Sequence, residues 1–138
     1  MVKLMDCIFC KIISGEIPAK KIAETEKTLA FMDAFPLTKG HSLVIPKTHY
    51  EKIQDISLED NSDLFETVRK VISKVDKITN ATLVAIHNGK ESGQEIPHVH
   101  VHLIPRSNSD SAGAVHSMFG SALQLTESEI DNVYNKLK

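Results

Sequence analysis

The chain has no apolar run near the roughly 20 residues that a membrane-spanning helix needs. It also has no internal repeat, no low-complexity linker and no composition shift that would mark a second domain. Met1 to Cys10 lacks the apolar stretch of a secretion signal, and two cysteines sit where that stretch would lie, so the expected location is the cytoplasm. Positive charge is not in excess: 16 Lys and Arg face 18 Asp and Glu, a net charge of −2. That balance argues against a surface built to grip a nucleic-acid polymer, but leaves open the binding of a single nucleotide. Cysteine is scarce. The only two, Cys7 and Cys10, are spaced C-x-x-C, which in such a chain points to metal or redox chemistry rather than a structural disulfide.

The 138 residues fit one domain spanning 1–138, with 107–138 read as a C-terminal extension. Cys7 to Ser14 is predicted to form a short helix closed by Gly15. Lys20 to Glu26, Thr28 to Ala34 and His41 to Ile45 read as strands. Ser57 is a good helix N-cap, with Glu59 and Asp60 at the positive end of the helix dipole. Leu64, Phe65, Val68, Val71, Ile72, Val75 and Ile78 then recur at helical spacing as one apolar face. Thr82 to His87 and Ile96 to Ile104 read as two further strands, and Glu127 to Leu137 as a last helix capped by Thr126. The expected fold is α+β: a mostly antiparallel sheet, one long helix, and short N- and C-terminal helices, with the helices packed on one face.

Histidine is what the chain has in abundance: seven, three of them within His98-Val99-His100-Val101-His102. Strand side chains alternate between faces, so the three histidines share one face, roughly 6.5–7 Å apart along the strand, and Val99, Val101 and Leu103 share the other. Neutral imidazole is a nucleophile with a pKa near working pH, and a second imidazole can protonate a leaving group. Alternating histidines are equally good metal ligands, and the strand alone leaves the two chemistries level. The preceding loop, Asn88-Gly89-Lys90-Glu91-Ser92-Gly93-Gln94, favours phosphoryl chemistry, because its glycines let backbone amides turn toward an anion.

Three segments in order resemble the histidine triad (HIT) family, in its Hint-like branch of nucleotide hydrolases and transferases: Cys7-Ile8-Phe9-Cys10 through Pro18; Ala30-Phe31-Met32-Asp33 through Pro46-Lys47 and His49; and Asn88-Gly89 through His98-Val99-His100-Val101-His102 to Arg106. The resemblance implies a HIT-like fold and a reaction at the α-phosphate of a purine nucleotide. His100 would attack and carry a covalent nucleotidyl group. His102 would assist at the phosphate or leaving group, and His41 would lie beside the triad. Asp33 would bind the ribose, with Phe31, Ile12 and Ile22 near the base and His87, Asn88, Gly93 and Gln94 around the phosphate. It also implies a structural Zn2+ on Cys7, Cys10, His49 and His98, and a homodimer.

Two residues depart from the family pattern. His87 stands where relatives usually carry Asn or Gln. Glu95 stands where some Hint-like members have a phosphate-contacting Ser; since a carboxylate repels phosphate, Glu95 is placed outside the site. Two rival functions remain: a nucleotide-binding or scaffold protein with incidental catalysis, and a metal-binding protein that uses the triad histidines as ligands.

Overall fold

The computed structural model describes residues 6–138. They divide into two compact units, one running through Asn108 and the other Ser109–Lys138. The first unit holds five strands, β1 (Lys21–Glu24), β2 (Thr28–Met32), β3 (Ser42–Pro46), β4 (Thr82–Ala85) and β5 (Val101–Pro105), and two helices, α1 (Ile8–Ile13) and α2 (Leu58–Thr79). The sheet order is β1-β2-β3-β5-β4 and every pairing is antiparallel.

Alternation along the strands creates two cores. Ala30, Val44, Val99, Val101 and Leu103 face α2 and pack on Leu64, Val68, Val71 and Val75. Leu29, Phe31, Leu43 and Ile45 point the other way and pack on Phe9 and Ile12 of α1. The expectation that the helices share one face is therefore corrected, because α1 and α2 cover opposite sides of the sheet. Helix α2 begins as predicted: the Ser57 hydroxyl accepts the Asp60 N–H at 3.2 Å, and the helix stops at Asn80 in a left-handed conformation. Its apolar face is narrower than the periodicity suggested, since Phe65 and Ile78 are exposed while Thr67 is buried.

A half-buried carboxylate tie joins α2 to the β1–β2 turn, where Asp63 accepts hydrogen bonds from Thr25 and Thr28 at 2.6 Å each. These hydroxyls hold the Asp63 carboxyl below its usual range.

The histidine strand is shorter than predicted. Only Val101–Pro105 pairs in the sheet. Residues 98–100 lie outside the ladder, and the Val99 N–H goes to the Tyr50 carbonyl at 2.7 Å instead. The alternation persists outside the ladder, so Val99 stays on the α2 side and the histidines stay on the α1 side.

In the second unit, α3 (Glu127–Leu137) starts with a full capping box: the Thr126 hydroxyl accepts the Glu129 N–H, and Glu129 accepts from the Thr126 N–H. No described helix is long and apolar enough to cross a membrane.

Candidate active site and metal centre

The histidines gather at two adjoining sites on the α1 face of the sheet. At the first, α1 starts at Cys7, whose sulfur accepts the Cys10 N–H at 3.3 Å, so the C-x-x-C turn points both thiols the same way. Cys7 Sγ lies 3.4 Å from His98 Nδ1, and Cys10 Sγ lies 3.4 Å from His49 Nδ1 and 3.6 Å from His98 Nδ1. One ligand atom from each of the four residues falls within 4.8 Å of the others.

These distances fit a tetrahedral ion. Zn–S bonds of about 2.3 Å and Zn–N bonds of about 2.0–2.1 Å set neighbouring S and N about 3.6 Å apart. His98 Nε2 is bonded to the Pro46 carbonyl at 2.8 Å, which places the ring proton there and frees Nδ1 as a ligand. His49 Nε2 is buried with no hydrogen-bond partner among the described residues, so the ring's polar contact is made through Nδ1 toward the thiols. Burial, reinforced by neighbouring Cys7, pushes the Cys10 thiol up to about 12, and burial pushes His98 down to about 4. Burial thus favours the uncharged forms of the Cys10 thiol and the His98 ring, and a divalent cation bound here would displace thiol protons.

The second site begins two residues on. His100 Nδ1 lies 2.7 Å from the His98 carbonyl. A carbonyl only accepts, so the proton sits on Nδ1 and the Nε2 lone pair is free. His102 has the opposite arrangement. The Leu37 N–H donates to His41 Nδ1 at 3.0 Å, so the proton of neutral His41 lies on Nε2, 3.0 Å from His102 Nδ1. His102 Nδ1 accepts, and the proton of neutral His102 lies on Nε2. Burial lowers His41 and His100 and takes His102 down to about 4, so all three rings are neutral near pH 7. Asp33 opposes that shift at His41, with its carboxylate 3.5 Å from Nε2. Asp33, His41 and His102 form a second group of possible metal ligands. The Leu37 N–H disfavours that use, because a metal on His41 Nε2 would push the ring proton onto Nδ1, against another donor.

His100 and His102 border a cavity of about 730 Å³. Its apolar end is formed by Phe9, which stands beside His100 and clusters with Ile12, Ile17, Phe31 and Ile96; Ile8 and Asp33 also line the cavity. Beyond His102 the ring of His87 follows, with Gly93 against it, and Glu95 completes the lining of this loop. The His102 ring is centred 4.9 Å from His100 and 5.5 Å from His87. Gly93 has φ +112°, and a Cβ there would stand 3.1 Å from the His87 ring.

The structure thus brings His41, His100, His102, Asp33, Phe31, Ile12, His87 and Gly93 to one cavity. Three expected members are elsewhere. Ile22 lies where the β1–β2 register shifts between Lys21 and Ala23, and it packs on the α2 core on the opposite face. Asn88 uses its side chain on the Ile53 N–H and on Gln54. Gln94 is a loop brace, accepting from the Gly89 N–H and donating to the Glu51 and Ile96 carbonyls. The Gly93 and Gln94 amides already bond to Lys90 and Gly89 within the loop.

Sequence reasoning missed three contributors. Phe9 stands edge-on to both His98 and His100, at 5.7 and 5.0 Å between centroids. Its position inside the C-x-x-C turn was the available signal. The Leu37 N–H had no side-chain signature. Glu95, set aside on charge grounds, lines the cavity.

A model described as the HIT domain matches residues 14–109. The chain belongs to the HIT domain family. Among curated relatives, adenosine 5'-monophosphoramidase hnt1 of Schizosaccharomyces pombe is 43% identical over 106 residues, 77% of this chain and 78% of that one. Adenylylsulfatase HINT3 of Arabidopsis thaliana is 38% identical over 129 residues, 87% of this chain and 62% of that one. Both fall in the Hint-like branch. A solved Zn-bound histidine triad family protein from Mycobacterium smegmatis superposes with a TM-score of 0.69 at 36% identity, covering 79% of this chain and 81% of that chain. The HIT fold and its α+β class follow, and the family with these relatives supports a nucleotide hydrolase.

Proposed function

We propose that this HIT protein cleaves a phosphoramidate or phosphoanhydride bond at the α-phosphate of a purine nucleotide, through a covalent nucleotidyl group on His100. The observation that carries this reading is the opposite protonation of neighbouring rings: His100 offers a lone pair at Nε2, held by the His98 carbonyl, while His102 offers an N–H at Nε2, held by the Leu37–His41 chain. One is a nucleophile and the other a donor, and both border the same cavity. The S. pombe and A. thaliana relatives bear the names of enzymes that cleave at an adenosine 5'-phosphate, which supports an adenylyl substrate.

In the reaction, His100 Nε2 bonds to phosphorus as the bond to the leaving group breaks. The leaving atom keeps the electron pair, is steadied by the hydrogen bond from His102 Nε2–H and takes up a proton from solvent. Water then attacks phosphorus and returns a proton to solvent as the P–N bond to His100 breaks, and the ring recovers its lone pair. The net reaction consumes one water, with hydrogen going to the leaving group and hydroxyl to phosphorus. The base rests against Phe31 and Ile12, Asp33 accepts from the ribose hydroxyls, and His87 stands beside the phosphate.

Cys7, Cys10, His49 and His98 hold a structural Zn2+, which fixes α1 and with it Phe9 against His100. Two observations support zinc here: the four ligand atoms lie within 4.8 Å of one another, and the M. smegmatis histidine triad protein is Zn-bound. A homodimer completes the proposal, to be read as twice the 15.3 kDa chain mass in solution. The deciding experiment for the reaction is steady-state turnover of adenosine 5'-phosphoramidate beside calorimetric AMP binding. Release of AMP at an enzymatic rate supports the reading. AMP binding without turnover would favour a nucleotide-binding scaffold instead.

A further inference from the structure

The histidine cavity does not end at His87. Gly93 and Glu95 line both it and a second cavity of about 750 Å³ on the far side of the 89–95 loop. The loop is held in place: the Ser92 and Gly93 N–H groups bond back to Gly89 and Lys90, and Gln94 ties it to Glu51 and Ile96. Glu95 therefore sits on a fixed ridge between the two spaces.

Three charged residues line the histidine cavity: Lys20, Asp33 and Glu95. Lys20 and Asp33 belong to the β1–β2 end, where the Met32 N–H bonds the Lys20 carbonyl. That leaves Glu95 as the one charge at the loop end. It is exposed, and no hydrogen bond or ion pair within the described residues engages its carboxylate. The second cavity adds Glu51 and Glu91 against Lys52 and Lys90, so with Glu95 it carries three carboxylates and two ammonium groups.

With the nucleoside at the apolar end and phosphorus at His100, the leaving group lies toward this ridge. We propose that Glu95 sets which leaving groups the site accepts, favouring a neutral or cationic amine and opposing an anionic one. The inference rests on the reading of the cavity as an α-phosphate site. Its physical basis is charge complementarity: a like charge near an unpaired carboxylate is repelled and an opposite one attracted, by an amount that solvent and salt screen.

The test uses adenosine 5'-phosphoramidates of 1,3-diaminopropane, n-butylamine and 3-aminopropionate. They present the same kind of P–N bond and similar chains, ending in an ammonium, a methyl and a carboxylate. At low ionic strength the expected order of kcat/KM is ammonium, methyl, carboxylate, with about tenfold between the extremes, shrinking as salt is raised. Glu95→Gln flattens the order and Glu95→Lys reverses it; both change an exposed side chain and should leave the melting temperature unmoved. Equal turnover of all three by the parent protein, or an order that survives Glu95→Gln, overturns the role of Glu95 alone. No turnover of any of the three overturns the α-phosphate reading and this inference with it.

Discussion

His98 and His100 stand two residues apart on one extended segment, share a face and touch the same Phe9 ring, yet their surroundings differ in kind. His98 is fully buried, faces two thiols through Nδ1 and gives Nε2 to the Pro46 carbonyl, which leaves no free nitrogen for an outside molecule. His100 gives only Nδ1 to a carbonyl and borders an open cavity. The histidine type supplies one chemistry, and the partner atom decides how it is used. Because the His98 carbonyl is the group that orients His100, the metal-type half of the row sets the tautomer of the reactive half.

The sharpest way to break this comparison is to remove each ring in turn. His100→Ala is expected to lower kcat/KM for a phosphoramidate by at least about 10³-fold while retaining one equivalent of zinc by atomic emission. Zinc lost with His100, or kept by His98→Ala and His49→Ala, would reverse the assignment. His102→Ala should cost about 10²-fold, the scale for losing a hydrogen-bond donor to charge that develops in the transition state, and should slow substrates with poor leaving groups more than those with good ones.

Stripping zinc attacks the other half. Chelation, or Cys10→Ser, is expected to lower the melting temperature by on the order of 10 °C, as followed by circular dichroism. A second, smaller loss of activity should follow as Phe9 loosens.

Acid sharpens the comparison further. The folded pKa of His102 is about 4, below the ordinary histidine value of 6.5. The unfolded chain therefore takes up a proton that the folded chain refuses. The stability this ring contributes is complete above pH 6.5 and is lost as pH falls toward 4. Urea titrations at matched zinc should show a shallower acid decline for His102→Gln than for the parent chain. The smallest effect is expected from Gly93→Ala. Its positive φ and the 3.1 Å approach to His87 predict a few-fold loss of turnover with zinc content unchanged.

Much of the frame was legible because burial imposes periodicity. The two-residue alternation of Val99, Val101 and Leu103 against the histidines survives even where 98–100 leave the sheet. The Ser57 start of α2 was equally plain, since a cap acts through neighbours in sequence. What escaped depends on contacts between distant segments. Ile22 lost its expected place because a register shift in β1 turned it to the opposite face. Asn88 and Gln94 have the right residue types for binding an anion, but their hydrogen bonds are spent on residues 51–54 and on the loop itself. The placement of α1 opposite α2 follows from β2 and β3 burying both faces, which a reading of hairpins could not reveal. Glu95 was set aside by a valid rule, repulsion of phosphate, although its position concerns the leaving-group end of the cavity.

The central claim is the division of labour along the histidine row, and the most direct measurement is the site of the covalent adduct. Rapid acid-free quenching of the protein during turnover of an adenosine phosphoramidate, followed by peptide mass spectrometry, should find the nucleotidyl group on His100 and nowhere else in residues 98–102. An adduct on His98 or His102 would contradict the account, as would steady turnover with no adduct on any histidine.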